Sequence, residues 1–571
     1  MYIDIVPNRN SRPAILLREG WREGKRVRKR TIANLTNWPK EKVEALRRLL
    51  KGEKMVGATE AFVIESCVPH GHVQAVLGTI KKIGLDRIIS SRRSRERDLV
   101  VGMIAERLIY PCSKLATSRL WNTSTLAEEL GIGDASEDEL YEAMDWLLDR
   151  KERIEKKLAS MHLSERALVL YDVSSSYYEG SKCELAYFGH NRDGKKGRPI
   201  IVYGMLTDGG GRPVAVEVYP GNTGDPTTVP DQIDKLRNRF GFQRVVLVGD
   251  RGMLTQTQID KLKEYPGIGW ISALRSGAIR NLIDGGVLQM SLFDERNLAE
   301  ISSPEFPDER LVACYNPILA AQRRDKREKL LAATERELGK IAREVGRRKK
   351  KILGKAEIGQ KVGRVINRFK VAKHFKVVIG EGTFSFERNE ATIGRESELD
   401  GIYVIRTSEH SGKMSASEAV RSYKRLEHVE QAFRSIKGLD ILIRPIFHRI
   451  DRRVRAHIFL CMLAYYVEWH MRKALAPLLF EEENLEEQRK ATDPVLPAQP
   501  SINVKKKKRA RLTSEGLRIH SLRTLLAELS TLCRNRCRFR HEPSGSVFYQ
   551  LTEPTPLQKK AFQLLGLFPV R

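Results

Sequence analysis

Hydrophobic and polar positions change texture several times along this chain, and each change marks a different kind of element. Near the start, two short strand-like runs, 14–21 and 27–35, flank a turn at Gly24 and predict a β-hairpin. Asn37 and Pro39 then open a helix that closes near Gly52. From 72 to 162 the pattern is helical. Ser136 with Glu139 three residues on makes a capping box, which starts a long helix running to about Ser160.

At Ala167 the pattern turns to strands. ALVLYDV (167–173) is a β-rich run followed by a Ser/Tyr segment, and GRPIIVYGML and PVAVEVYPG are two more strands joined by TDGGGR, a strong hairpin turn signal. A helix over 230–240 leads to the continuous apolar strand RVVLVGD, another helix over 257–264 to IGWISAL. Three strands in a meander, then helix, strand, helix, strand, describe an RNase H-like α/β fold. Two acids stand where that fold places its chemistry: Asp172 in the first strand and Asp250 at the end of the fourth.

The segment 421–438, RSYKRLEHVEQAFRSIKG, reads as a helix that begins at a second capping box, Ser415 with Glu418, and ends at Gly438. Tyr423, Glu430 and Lys437 are spaced by seven and share one stripe, with Arg434 about 40° away. Such a stripe suits a carboxylate that holds a divalent cation beside groups that meet a phosphate backbone; the competing reading is a solvated charged face. Charge then widens the picture. The chain has 571 residues and a formal charge of +29, enough for roughly three or four domains and pointing to a polyanion partner, most simply nucleic acid. The apolar run 458–469 contains Glu468 and is too short to span a bilayer, so it predicts a core helix and no membrane partner. The polar start MYIDIVPNRN is no secretory signal, and seven cysteines without a CxxC suggest reduced thiols in a cytosol. Cys533, Cys537 and His541, spaced by four, read as a helix face more readily than as half of a zinc site.

The chemistry that needs two aspartates and a glutamate is phosphodiester hydrolysis or transfer. Two Mg²⁺ ions about 3.5–4 Å apart stabilise both the attacking and the leaving oxygen, and hard cations take carboxylate ligands. YDVSSSYYEG, VLVGDRGM and YKRLEHVEQAFRSIK resemble the three acidic motifs of DDE insertion-sequence transposases, in the superfamily whose third motif is Tyr-x2-Arg-x3-Glu-x6-Lys. The resemblance covers 167–471. It implies Asp172, Asp250 and Glu430 as catalytic metal ligands, Tyr423 and Lys437 as DNA contacts, and two Mg²⁺ ions for which Mn²⁺ substitutes. The family's Arg falls at Leu426; Arg425 points about 140° away from Glu430, and Arg434 lies closer to the right face.

The expected architecture is an α/β RNase H-like catalytic core interrupted by a β-rich insertion and preceded by a β-hairpin plus helical DNA-binding region. Its parts are an N-terminal hairpin and helix (1–60), a helical DNA-binding domain (61–165), the first part of the core (166–275), an insertion (276–414) and the second part of the core (415–480). A basic, Pro-containing linker (481–511) and a small C-terminal unit (512–571) follow. The insertion carries a basic helix over 315–355, whose run GRRKKK offers Arg347, Arg348 and Lys349 to a DNA backbone, and strands at FKVVIG, GTFSFER and GIYVIRTS. Arg92, Arg93, Arg95 and Arg97 form a basic knot. Arg444, His448, Arg452 and Arg453 cluster near the third motif, for positioning phosphates or as ordinary surface charge. The function expected is a transposase that cuts and joins the double-stranded ends of its own element, as a homodimer on paired ends, in the cytoplasm of a bacterium or archaeon at its nucleoid. A metal-dependent nuclease without joining and a non-catalytic transposase-derived DNA-binding protein are the alternatives.

Overall fold

The computed structural model describes residues 1–53, 61–347, 354–540 and 546–567. It divides into two compact units, Met1–Val68 with Cys533–Thr552, and Pro69–Leu532 with Glu553–Arg571.

In the first unit, β1 (Tyr2–Val6), β2 (Ala14–Glu23) and β3 (Arg26–Asn34) form an antiparallel sheet in that order. The expected hairpin is thus β2–β3, turned at Gly24 with φ +61°, and β1 adds a strand that its mixed polarity concealed. The helix Lys40–Leu50 follows Pro39 and buries Val43. A further strand, β4 (Phe62–Pro69), belongs to a second sheet of this unit, completed below.

The second unit is built on one mixed sheet of eight strands. β5 (Ala167–Tyr177), β6 (Ile200–Asp208), β7 (Pro213–Tyr219), β8 (Val245–Gly249) and β9 (Ile268–Ala273) are the strands of the apolar runs. Beyond them lie β10 (Leu298–Ile301), β11 (Arg310–Tyr315), the separate hairpin β12 (Phe375–Gly380) with β13 (Thr383–Arg388), and β14 (Ile402–Thr407). The sheet order is β10-β11-β14-β9-β8-β5-β6-β7, with β5, β8 and β9 parallel and the other pairs antiparallel.

That order corrects the expected insertion. GIYVIRTS and the strands β10 and β11, all within 276–414, extend the main sheet past β9 rather than forming a subdomain of their own. The reason is that β9 is buried throughout and would otherwise end the sheet as a bare apolar edge. What stands apart is smaller: the helices Pro317–Val345 and Lys355–Phe369 with the β12–β13 hairpin, around a core that includes Leu331, Leu338, Ile358 and Phe375.

The region 61–165 is also not a free-standing helical domain. Its helices, among them Gly71–Lys82, Arg95–Ile109, Glu137–Leu148 and Lys151–His162, share one hydrophobic core with the sheet. The helix expected from Ser136 to about Ser160 is two helices, broken at Asp149 and Arg150. The basic knot is mostly spent internally: Arg93 and Arg97 pair with Asp98, and Arg95 with Glu139 at 2.6 Å. Asp451–Leu475 is the central core helix, packed on β7 and on Arg95–Ile109 and Glu137–Leu148. Among the described residues no helix is long and apolar enough to cross a membrane.

The C-terminal part differs from a linker plus a small unit. Residues 481–511 carry the helices Leu485–Ala491 and Ile502–Ala510, and the segment docks through Val495, whose carbonyl accepts hydrogen bonds from Asn316 (3.1 Å) and Lys424 (2.8 Å). Beyond it, the helices Leu522–Ser530 and Pro556–Leu565 pack on Gly71–Lys82. Between them β15 (Cys533–Phe539) and β16 (Val547–Leu551) join β4 in the order β16-β15-β4. Cys533 and Cys537 therefore lie on a strand, not on a helix face, and His541 falls outside the described residues.

Candidate active site

β5 and β8 are adjacent and parallel, with Tyr171 opposite Gly249, so Asp172 and Asp250 each stand one residue beyond a shared rung. The strand texture that buries Val169, Leu170, Leu247 and Val248 thereby delivers two carboxylates to the carboxyl end of the sheet. Asp250 ends its strand in a tight turn, its backbone carbonyl accepting from the amides of Met253 and Leu254, both at 3.0 Å. Gly249 is required there because a Cβ would lie 2.9 Å from Leu254 Cγ.

Glu430 comes from the other side. The capping box at Ser415 forms as expected, but the helix it starts is two pieces, Ala416–Lys424 and Leu426–Lys437. At the break the Arg425 guanidinium donates to the Gly209 carbonyl at 2.9 Å and pairs with Glu486 at 2.7 Å, while Leu426 is buried. Neither residue turns toward the acids as the family's Arg would. Val429, Ala432, Phe433 and Ile436 press the second piece onto β5 and β6, Phe433 meeting Tyr203 ring to ring at 5.7 Å, and Glu430 remains exposed.

The electrostatics tie the three acids together. Burial pushes the half-buried Asp172 carboxyl up to about 7; the Val173 amide (2.8 Å) and the Arg192 guanidinium oppose this, while the charges of Asp250 and Glu430 add to it. Asp250 accepts from the Gly252 amide at 3.3 Å and from the Tyr423 hydroxyl at 3.4 Å. Burial, then Asp250, raises the Tyr423 phenol, and Glu430 adds to that shift. Among the described residues no three His, Cys, Asp or Glu side chains form a ready cage for a metal ion. The donor set is nonetheless that of a hard cation: oxygen only, and crowded with like charge.

The other expected residues are dispersed around this centre. Lys437 is half-buried and donates to Asp193 Oδ1 at 3.1 Å, an oxygen that Arg444 also meets. Burial lowers the Lys437 pKa and Asp193 partly restores it. Arg434 is exposed, with no ion-pair partner among the described residues. Arg347 is exposed just past the helix Pro317–Val345, and Arg348 and Lys349 lie outside the described residues.

Two residues escaped the sequence reading. Asp193, its side chain 1% exposed, also accepts the Tyr177 amide at 3.0 Å, and Arg192 acts on Asp172 while pairing with Asp225. Both lie in the loop between β5 and β6, where Asn-Arg-Asp-Gly signals only a turn.

Comparison with known proteins places the chain in a family. The family described as "Transposase DDE domain" matches residues 164–467, more than half of the chain, and that described as "IS1634 family transposase, N-terminal domain" matches residues 3–60. The chain belongs to the DDE transposases. Its first residues are similar to the IS1634 branch. No curated protein matches. Among solved structures, a piggyBac transposase synaptic complex with hairpin DNA is similar at 9% identity and a TM-score of 0.34, covering 80% of this chain and 76% of that one.

Proposed function

We propose that this transposase binds the double-stranded ends of its insertion element, cuts strands there and joins them to target DNA, using Asp172, Asp250 and Glu430 in an RNase H-like core. The observation that supports the reading is the placement of Asp172 and Asp250 one residue beyond a shared rung of the parallel strands β5 and β8, with the charges of Asp250 and Glu430 felt at a half-buried Asp172. A fold gains nothing in stability from such a grouping unless a cation neutralises it. Mg²⁺, with Mn²⁺ as a substitute and two ions in all, fits this oxygen-only donor set. Bound there, it supplies Lewis-acid polarisation of the scissile phosphate and a more acidic bound water.

The chain's own residues do the positioning. β5 and β8 hold Asp172 and Asp250 rigidly, and the Tyr423 hydroxyl fixes one Asp250 oxygen. Asp193 gathers Lys437 and Arg444, and the unpaired Arg434 is left to meet a phosphate. Arg347 is a candidate for a more distant backbone contact. Two element ends have to be paired, so a homodimer is the expected assembly, working on DNA in the cytoplasm.

The test is strand cleavage and joining on labelled element-end DNA with Mg²⁺ or Mn²⁺, comparing wild type with Asp172→Asn, Asp250→Asn and Glu430→Gln. Metal-dependent cutting and joining, lost in all three variants while DNA binding persists, is the expected outcome. Cutting without joining would favour a nuclease, and variants that cut normally would remove these residues from the site.

A further inference from the structure

A cavity of about 500 Å³ lies between the helices Arg95–Ile109 and Glu137–Leu148 and the chain that leaves the third-acid helix. Arg107, Lys114, Arg444, Arg449, Arg453 and His457 line it, and no carboxylate does among the described residues. The sequence offered Arg444 and Arg453 as phosphate positioners or surface charge; Lys114 and Arg107, far away in the chain, are what make the place unusual.

Some of these cations are accounted for. Arg444 shares Asp193 with Lys437, Arg453 stands 3.5 Å from Asp145 and over the Tyr141 ring at 4.5 Å, and Arg107 donates to the Leu442 carbonyl at 3.3 Å. Lys114 is not: it is 4% exposed and has no hydrogen-bond or ion-pair partner among the described residues. Burial lowers its pKa to about 7, Arg107 adds to that, and Cys461, Cys112 and, least, Glu106 oppose it without forming an ion pair. His457 is likewise buried; its Nε2 meets the Ile443 carbonyl at 3.0 Å, and its Nδ1 has no partner.

Burying an ammonium beside a guanidinium, with no acceptor, is costly for a fold; the lysine responds by giving up its proton more readily, and an anion bound beside it would restore the charge. The walls also suit more than a bare ion. Tyr141 and His448 meet edge to face at 5.9 Å, and Phe447 stands exposed on the rim, so aromatic surface adjoins the positive charge. The cavity communicates with the acidic site through one chain of contacts: Arg444 to Asp193 to Lys437, on the helix that carries Glu430.

We infer that this cavity is a binding pocket for the phosphate of a nucleotide, with Lys114 and Arg107 as its floor and Arg449 at its mouth. In resting on the reading of the acidic site as one that handles DNA, the inference adds a second place where a strand is held. The phosphate has two chemical sources, a nucleotide of a DNA strand or a free nucleotide.

The experiment measures the shift in melting temperature, and the Kd, of the full chain with inorganic phosphate, deoxyadenosine monophosphate and a short 5′-phosphorylated single strand, without divalent metal. Wild type, Lys114→Met, Arg449→Ala and Glu430→Gln are compared. Wild type and Glu430→Gln are expected to be stabilised by the phosphate probes. Lys114→Met is expected to melt no lower than wild type in free form, yet to bind at least tenfold more weakly, because it removes an unpaired buried charge. Arg449→Ala, at the exposed mouth, loses less. Stabilisation by the strand alone identifies DNA as the source; equal stabilisation by the mononucleotide identifies a free nucleotide, and both uphold the pocket. The inference is overturned if no probe stabilises wild type, or if Lys114→Met lowers the melting temperature while leaving the Kd unchanged. Because these readouts need neither metal nor cleavage, failure of the acidic triad would leave a positive result standing.

Discussion

One sheet carries two groups of buried charge that differ in balance. Against β7, Lys235 and Lys151 each meet Glu217 at 2.8 Å, and Glu155 lies 3.5 Å and 3.4 Å from the same two ammonium groups. Two acids face two lysines, and Arg455 stands 3.6 Å from Glu217. Burial alone would raise the Glu217 carboxyl, yet Lys151 and Lys235 hold it down to about 2, and the two glutamates likewise keep the Lys235 pKa raised against its burial. Midway along β5, beside the end of β8, burial acts on Asp172 in the same sense; the Val173 amide and Arg192 offset it only in part, Asp250 and Glu430 add to it, and the pKa rises to about 7. The same penalty is cancelled in one place and left standing in the other. Balanced burial is how a fold tolerates charge, whereas an imbalance of one sign marks a place completed by something the chain does not supply.

Four measurements sharpen or break that contrast. The largest effect is expected in catalysis: Asp250→Asn or Glu430→Gln should lower strand cleavage by on the order of 10³-fold or more, since several kcal/mol of transition-state stabilisation are lost. The fold should survive, and a circular-dichroism melt unchanged from wild type checks that. In the balanced group the order reverses. Lys235→Met should leave Glu155 and Glu217 with Lys151 and the more distant Arg455, and destabilise the protein by about 3–5 kcal/mol in denaturant titration, as breaking a buried pair does. A loss under 1 kcal/mol would show that the two regions do not differ as described.

The third measurement is the pH dependence, where the two groups have opposite signs. The folded-state pKa of Glu217 is depressed, so its contribution is present above its ordinary value of 4.5 and lost as pH falls toward 2. That of Asp172 is raised, so stability is fullest below its ordinary 3.8 and lost as pH rises through about 7. Without metal, Asp172→Asn should therefore melt higher than wild type at pH 8, by on the order of 1–2 kcal/mol, and match it at pH 4. Equal melting at both pH values would contradict the raised pKa. The smallest effect belongs to Tyr423→Phe, which removes one long hydrogen bond to Asp250; cleavage should fall by no more than about tenfold, in kcat rather than KM.

Much of this was legible in the chain because it depends on local rules. The runs at 167–173, 244–250 and 268–274 are short, almost wholly apolar and closed by turn residues, which is how strands buried on both faces read. The acids follow from those boundaries: once β5 and β8 are placed, Asp172 and Asp250 fall at the same end of a parallel pair. Helical spacing put Glu430 on one stripe with Tyr423 and Lys437, and the resemblance of the third motif singled it out as a candidate ligand. The break at Arg425 did not show there, because what draws that side chain out is the Gly209 carbonyl and Glu486, partners distant in sequence.

What the sequence by itself offered was therefore the core strands β5 to β9, set by periodicity and turn residues, and three candidate acids whose class of chemistry came through the resemblance of their motifs. Tertiary structure alone decided how the pieces share partners. It added β10, β11 and β14 to the main sheet, merged the helices before β5 into the same core, and gave Lys437 and Arg444 a single buried acid. It also left Lys114 buried without an acceptor. Periodicity records which residues turn inward, but whether an inward charge finds its opposite depends on chain hundreds of residues away, and no local pattern carries that information.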